Sequence, residues 1–459
     1  MTGIPSQFEN QTGNQIGGRT GPQLDRTTDH RFDGQVETIQ DVDFSRRGFL
    51  KAGLSCTTIA TCSFTSAIAF AGNSIAGNSS VDSEELKFQQ LQNGKANRLW
   101  GVALAYCENK LDLIDLDNNK LLHSFEGLRA THAITPVEHL NRFIVHGQKT
   151  GTREGAIGVL QVDPVKKTWS IPFFETLSGG PALHWQPDPG FNRVVFNTIG
   201  DGGLHVLDTD KLTLKNYTGG GGHSNMAFLD RYLIATDEMS GPTNVRVIDL
   251  ESGEIESKTP VGNWGHGLTV CRERGEAFVW SREGVQVVSL AKKTLGKHLG
   301  VFEPSDADVR GWFCWTPQGG QFSHDVAWAY GDNYRPHLLV TDMKNHRLEK
   351  IPTGDPDLQP SYLQMSPDGK WGMASLRGRE EIAVFDTAAN TFNGVVKAGP
   401  AQPGFFERDM TFCRNRDCGI VTNTGDNSIS LLDLKRKLEV RRISLPRRPL
   451  WLKAISPTA

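Results

Sequence analysis

Short runs of alternating apolar and polar residues recur along the chain, and most end in aspartate. They are Leu111–Asp115, Val159–Asp163, His205–Asp208, Val245–Asp249, Leu338–Asp342, Ile382–Asp386 and Ile429–Asp433, with Val285–Ser289 as an eighth copy carrying Ser in place of Asp. A period of two sends alternate side chains to opposite faces, which is the pattern of a half-buried strand. The end positions 115, 163, 208, 249, 289, 342, 386 and 433 are 48, 45, 41, 40, 53, 44 and 47 residues apart. An all-strand repeat of about 45 residues corresponds to one four-stranded blade. The terminal Asp stops each strand and opens a turn. The chain is therefore expected to be all-β, an eight-bladed β-propeller of four-stranded antiparallel blades, with seven blades as the alternative.

Ring closure is also readable. Residues 97–126 supply three strands of the first blade, and the missing one stands at the other end of the sequence, Leu450–Pro457, matching Ser361–Pro367 in pattern. The C-terminal strand is expected to join the N-terminal blade, which leaves only short protected edges. Ser366-Pro367-Asp368-Gly369-Lys370 is a hairpin turn, followed by the strand that ends Val384-Phe385-Asp386-Thr387. This combination resembles the YVTN-type repeat family, which shares its architecture with the d1-haem propellers of nitrite reductase. The resemblance spans residues 97–457 and implies fold far more than activity.

Upstream of the repeats the pattern changes. Residues 1–44 are polar and aperiodic and read as a disordered leader. Ser45-Arg46-Arg47-Gly48-Phe49-Leu50-Lys51 resembles the twin-arginine export signal at every defined position; an apolar stretch follows from Ala52 to Phe70, and Ala69-Phe70-Ala71 offers a small-x-small cleavage site. The organisation read from this is a leader at 1–44, a twin-arginine signal peptide at 45–71, a linker at 72–96 and the propeller at 97–459. The signal implies a periplasmic protein with the twin-arginine export machinery as its first partner, and cargo of that route often takes up a cofactor before export. No second long apolar stretch follows, so no transmembrane segment is expected in the mature chain. A formal charge of −3 over 459 residues gives no ground for a nucleic-acid surface.

Chemistry is sought where the first strand of each blade opens onto one mouth of the central channel. Aligned on the first hairpins, that position holds His132, Pro181, His223, His266, Arg310 (one residue off register), Ser361, Arg408 and Trp451. Three of the chain's 13 histidines at one structural position point to a ligand site. Neutral imidazoles converging on a channel suit Zn or Cu. Asp237 and Glu238 fall in a loop at the same mouth, so the ligand set would be three histidines, or two histidines and a carboxylate. Arg310 and Arg408 across the ring favour an anionic cofactor. The plainer alternative is that these residues cap strand starts in a watery channel. The segments Gly220–His223 and Asn263–His266 loosely resemble the His-bearing strand starts of periplasmic zinc metallochaperone propellers. The His pair on neighbouring blades also resembles the substrate side of d1-haem nitrite reductase, but no C-x-x-C-H sequence for a c-type haem is present.

His184, beside Trp185, and His324 read as satisfied core or channel residues, and His139, His298 and His346 as turn or surface residues. Five cysteines follow the signal, and Cys413 and Cys418 flank a four-residue turn where a cross-strand disulfide fits. No nucleophile elbow, phosphate loop or dinucleotide fingerprint occurs. Three readings remain open. The first is a non-catalytic periplasmic carrier or binder of a metal or cofactor. The second is a metal- or cofactor-dependent oxidoreductase, and the third a cofactor-free platform that binds another exported protein. Whether the chain is an enzyme is left open by its residues.

Overall fold

The computed structural model describes residues 100–457, apart from 178, 200–202, 218–223, 238–241, 264, 266, 282, 303–327, 367–368, 403–407 and 414–416, and of 130–133 and 328–334 it describes only the backbone. The leader, the twin-arginine signal and the linker lie outside the described residues. All described residues belong to the compact unit Ile68–Ala459.

They form eight antiparallel sheets, seven of four strands and one of three. Each is one blade, built as a meander from the channel outward. Blade one runs Pro449–Ile455, Val102–Cys107, Lys110–Asp115 and Lys120–Phe125. The inner strands of blades two to five are Leu128–Val137, Ala182–Pro187, Met226–Leu229 and Leu268–Cys271. Those of blades seven and eight are Pro360–Met365 and Met410–Phe412. Blade six shows Trp328–Arg335, His337–Asp342 and Arg347–Pro352; its expected inner strand, around Arg310, lies outside the described residues.

The expected closure is present. The C-terminal strand pairs antiparallel with the first, Val102 opposite Ile455 and Tyr106 opposite Trp451. Eight separate apolar clusters fill the structure, one at each blade–blade interface, so the circle is continuous. The cluster that seals blade eight to blade one includes Trp100, Ile114, Leu116, Ile420, Leu431 and Leu452.

The strand-ending residues act locally. Each of the eight ends the third strand of its blade. The Asp163 carboxylate accepts the N–H groups of Val165 and Lys166 at 3.0 and 2.8 Å, and Asp386 accepts those of Ala388 and Ala389, both at 3.0 Å. The Lys166 amide holds the Asp163 carboxyl below its ordinary range. Four residues after the Asp the chain turns left-handed, at Asn119, Lys167, Leu212, Gly253, His346, Asn390 and Lys437.

Cys413 and Cys418 are disulfide-bonded, with Cα atoms 5.5 Å apart, while Cys107 and Cys271 are free and buried.

Candidate functional site at the channel mouth

The inner strands of blades two to five occupy consecutive places in the ring, and the histidine positions belong to the starts of three of them. His132 lies within Leu128–Val137, where the pairing with Arg142–Lys149 shifts register between Ala130 and Ala133; only its backbone is described. His223, His266, Glu238 and Arg310 lie outside the described residues. The described residues that flank His223 and His266 are anchored. Beside His223, the Ser224 carbonyl accepts a hydrogen bond from Nδ1 of His184 at 2.9 Å, and the Asn225 N–H donates to the Thr236 hydroxyl at 2.9 Å. Around His266, the Gly265 N–H donates to the Thr243 hydroxyl at 2.8 Å, and the Gly267 carbonyl accepts the Trp280 N–H at 3.1 Å.

Asp237 is committed elsewhere. Its carboxylate accepts the Asn244 amide at 2.6 Å, pairs with the Arg246 guanidinium and lies 3.8 Å from Lys258 Nζ. These partners sit on the outer two strands of its own blade, Pro242–Asp249 and Ile255–Asn263. A metal would have to compete with Arg246 for it.

Arg408 is also engaged. Its guanidinium donates to the carbonyls of Arg379 and Glu380 at 2.6 and 3.2 Å, and the residue is 1% exposed. Burial lowers its pKa to about 10. The arginine joins blade eight to a turn of blade seven. Its neighbour Asp409 reaches the other way: Lys453 Nζ donates to both carboxylate oxygens at 2.6 and 2.7 Å, and the Leu452 N–H donates at 2.6 Å. The remaining positions of the series are packed rather than open. The Ser361 hydroxyl bonds that of Ser375 at 2.7 Å, and the Trp451 ring lies 6.4 Å from that of Tyr362.

Two histidines gain importance from the structure. His146, on the second strand of blade two, is opposite Ala133, next to His132 in sequence. Its ring stacks against Phe196 at 6.0 Å and tilts toward Trp185 at 5.4 Å, both from blade three. It is fully buried, and neither ring nitrogen has a hydrogen-bond partner among the described residues. Burial lowers its pKa to about 3; burial likewise lowers that of His184 to about 4. His184 proves to be hydrogen-bonded, as read from its sequence context. Because a carbonyl only accepts, its Nδ1 carries the proton. Nothing in the strand Arg142–Lys149 marks His146 beforehand, since the rings around it come from the next blade. Among the described residues, no group of three His, Cys, Asp or Glu side chains is arranged to hold a metal.

Fold and closure define a β-propeller. Solved structures agree. The chain is similar to apo AztD from Citrobacter koseri at 11% identity and a TM-score of 0.60, over 78% of this chain and 98% of that one. It is similar to the dihydro-haem d1 dehydrogenase NirN, solved in complex with DHE, at 14% identity and a TM-score of 0.54, over 78% of this chain and 75% of that one. At these identities the likeness is one of fold. No family model matches the chain, and no curated protein matches it.

Proposed function

We propose that this chain is an exported periplasmic propeller that binds or carries a metal or cofactor at the mouth of its channel without being a catalyst. The ligands would be His132, His223 and His266, and Zn or Cu the metals. The observation that carries the reading is that the neighbours of these residues, Ala133, Ser224 and Gly265, belong to blades two, four and five of one continuous arc. Hydrogen bonds to His184, Thr236 and Thr243 fix the backbone on that arc. The surroundings fit neutral nitrogen ligands, because burial keeps the imidazoles of His146 and His184, on the same arc, unprotonated at neutral pH. The opposite arc, of blades seven, eight and one, is filled by Tyr362, Trp451 and the Arg408 and Asp409 pairings.

Residues 45–71 would direct export as a cleaved twin-arginine signal, residues 1–44 and 72–96 serving as leader and linker, and an exported protein is the candidate recipient. No helix among the described residues is long and apolar enough to cross a membrane. The likeness to NirN supports a second reading, an oxidoreductase with an organic cofactor in the channel. With Arg408 engaged by two carbonyls, Arg310 would carry most of the anion binding in that case.

Elemental analysis and a visible spectrum of the exported protein, purified without added metal, test both. One Zn or Cu per chain, lost in His132→Ala/His223→Ala/His266→Ala while the fold persists, is the expected result. An organic chromophore that stays with the protein would favour the oxidoreductase. Metal-free, colourless protein, unchanged in the variant, would leave a platform for protein partners.

A further inference from the structure

The fully buried His146 has no hydrogen-bond partner for either ring nitrogen among the described residues, and no other described imidazole has both nitrogens in that condition. The walls around it supply none. Ala133 stands opposite it in the sheet, and the Phe196 and Trp185 rings of blade three pack on it; of these side chains only the indole is polar, and it is a donor. Other described imidazoles are held. His205 bonds Asn216 at 2.7 Å and Thr198 at 3.3 Å, His346 bonds Glu276 at 2.9 Å, and His184 bonds the Ser224 carbonyl. Leaving a buried polar group unpaired is unfavourable, and in a native protein it points to a bound ion or water. A neutral imidazole offers one lone pair, which suits a cation.

The place of His146 in the blade ties that cation to the mouth. It lies on Arg142–Lys149, near the end where Lys149 pairs with Leu128 and the inner strand of blade two begins. Between the pairs Ala130–Gly147 and Ala133–His146 the inner strand carries two extra residues, Thr131 and His132. Regular alternation would set His132 and His146 on opposite faces of the blade. The shift in register lifts that constraint, and irregularities of this kind re-aim side chains beside functional sites. Asp237, the carboxylate read as a ligand, is by contrast paired with Arg246.

We propose that His146 is a fourth nitrogen ligand of the mouth metal, joining His132, His223 and His266 in the place that Asp237 does not fill. This rests on the reading of the mouth as a metal site and adds a consequence. Zinc held by four protein ligands has no coordination place left for water or substrate, whereas catalytic zinc keeps one open. The closed set makes the propeller a binder of the metal and not a catalyst.

Zinc and cobalt(II), each added to the purified metal-free chain, test this in wild type, His146→Phe and His146→Gln. Phe keeps the packing on Trp185 and Phe196, so a metal-free melting midpoint no lower than that of wild type shows an intact fold. Gln keeps a neutral polar group at the same place. Losing a group that only hydrogen-bonds a ligand weakens metal binding about 10–100-fold, so both variants should bind zinc ~100-fold or more weakly, still at one per chain. Azide should leave the visible spectrum of cobalt-loaded wild type unchanged and alter that of each variant, where a coordination place has opened. Zinc affinity of wild-type strength in the variants, or azide binding by the wild-type cobalt protein, would overturn the fourth ligand and leave the three-histidine site standing. A wild-type chain that takes up neither metal would remove the site and this ligand together.

Discussion

The buried imidazoles of His146 and His184 make stability depend on pH in a direction that follows from burial. In the folded chain their pKa values are lowered to about 3 and about 4, against about 6.5 in an unfolded one. Between those values the unfolded chain binds more protons, so stability is full above about pH 6.5 and falls as pH drops toward 4. Each histidine contributes a slope of about 1.4 kcal/mol per pH unit. His146→Phe should remove one such slope and keep the stacking on Trp185 and Phe196. It should also stabilise the neutral protein by about 1–3 kcal/mol, the cost of two unpartnered buried nitrogens. Thermal melts of metal-free protein at pH 7 and pH 5 check this, and a wild-type midpoint flat across that interval would refute it. What could be read at this scale depended on how local the cause was. The terminal Asp of the repeats was legible because, as at Asp163 and Asp386, its carboxylate bonds amides two and three residues on. The left-handed turns at Lys167, Leu212 and Lys437 were not, since nothing in those side chains favours positive φ. Arg408 read as a channel cation from its place before a strand, but the carbonyls that hold it come from the preceding blade.

Among the elements, the strand that closes the ring depends on one buried ion pair. Lys453 lies on the C-terminal strand and Asp409 just before the inner strand of blade eight, 8% and 0% exposed at their side chains. Lys453 Nζ also reaches the Met410 carbonyl at 3.1 Å. Lys453→Met keeps most of the stem but leaves a carboxylate buried without its cation, and removing one partner of such a pair costs about 3–5 kcal/mol. The urea midpoint should fall without a change in slope. Lys453→Met/Asp409→Leu should recover only part of the loss, because Asp409 also accepts the Leu452 and Met410 N–H groups. A single variant as stable as wild type would show that apolar packing in the seam, around Trp100, Ile114 and Leu452, suffices for closure. The closing strand was visible in the sequence because it completes a repeat. The ion pair was not, because its two charges stand 44 residues apart and meet only when the circle closes.

For the whole molecule, the eight blades follow from a repeat that survives wide sequence drift, whereas the site at the mouth is legible only as a register of positions. Three histidines, His132, His223 and His266, share that register. Whether the chain is exported and cleaved can be read by counting thiols. Five of the seven cysteines lie after residue 71 and two, Cys56 and Cys62, lie in the proposed signal. With Cys413 and Cys418 bridged, a cleaved chain unfolded without reductant has Cys107, Cys271 and Cys314 left to alkylate, and five after reduction. A chain that keeps its signal would give five and then seven. Intact mass after alkylation separates the cases, with three followed by five expected. Equal counts before and after reduction would exclude the bridge in the exported protein. Replacing Arg46 and Arg47 by Lys should leave the protein in the cytoplasm as the full-length species with all seven thiols reduced, because folding ahead of export takes place where disulfides do not persist. Export of that variant at wild-type level would remove the twin-arginine route.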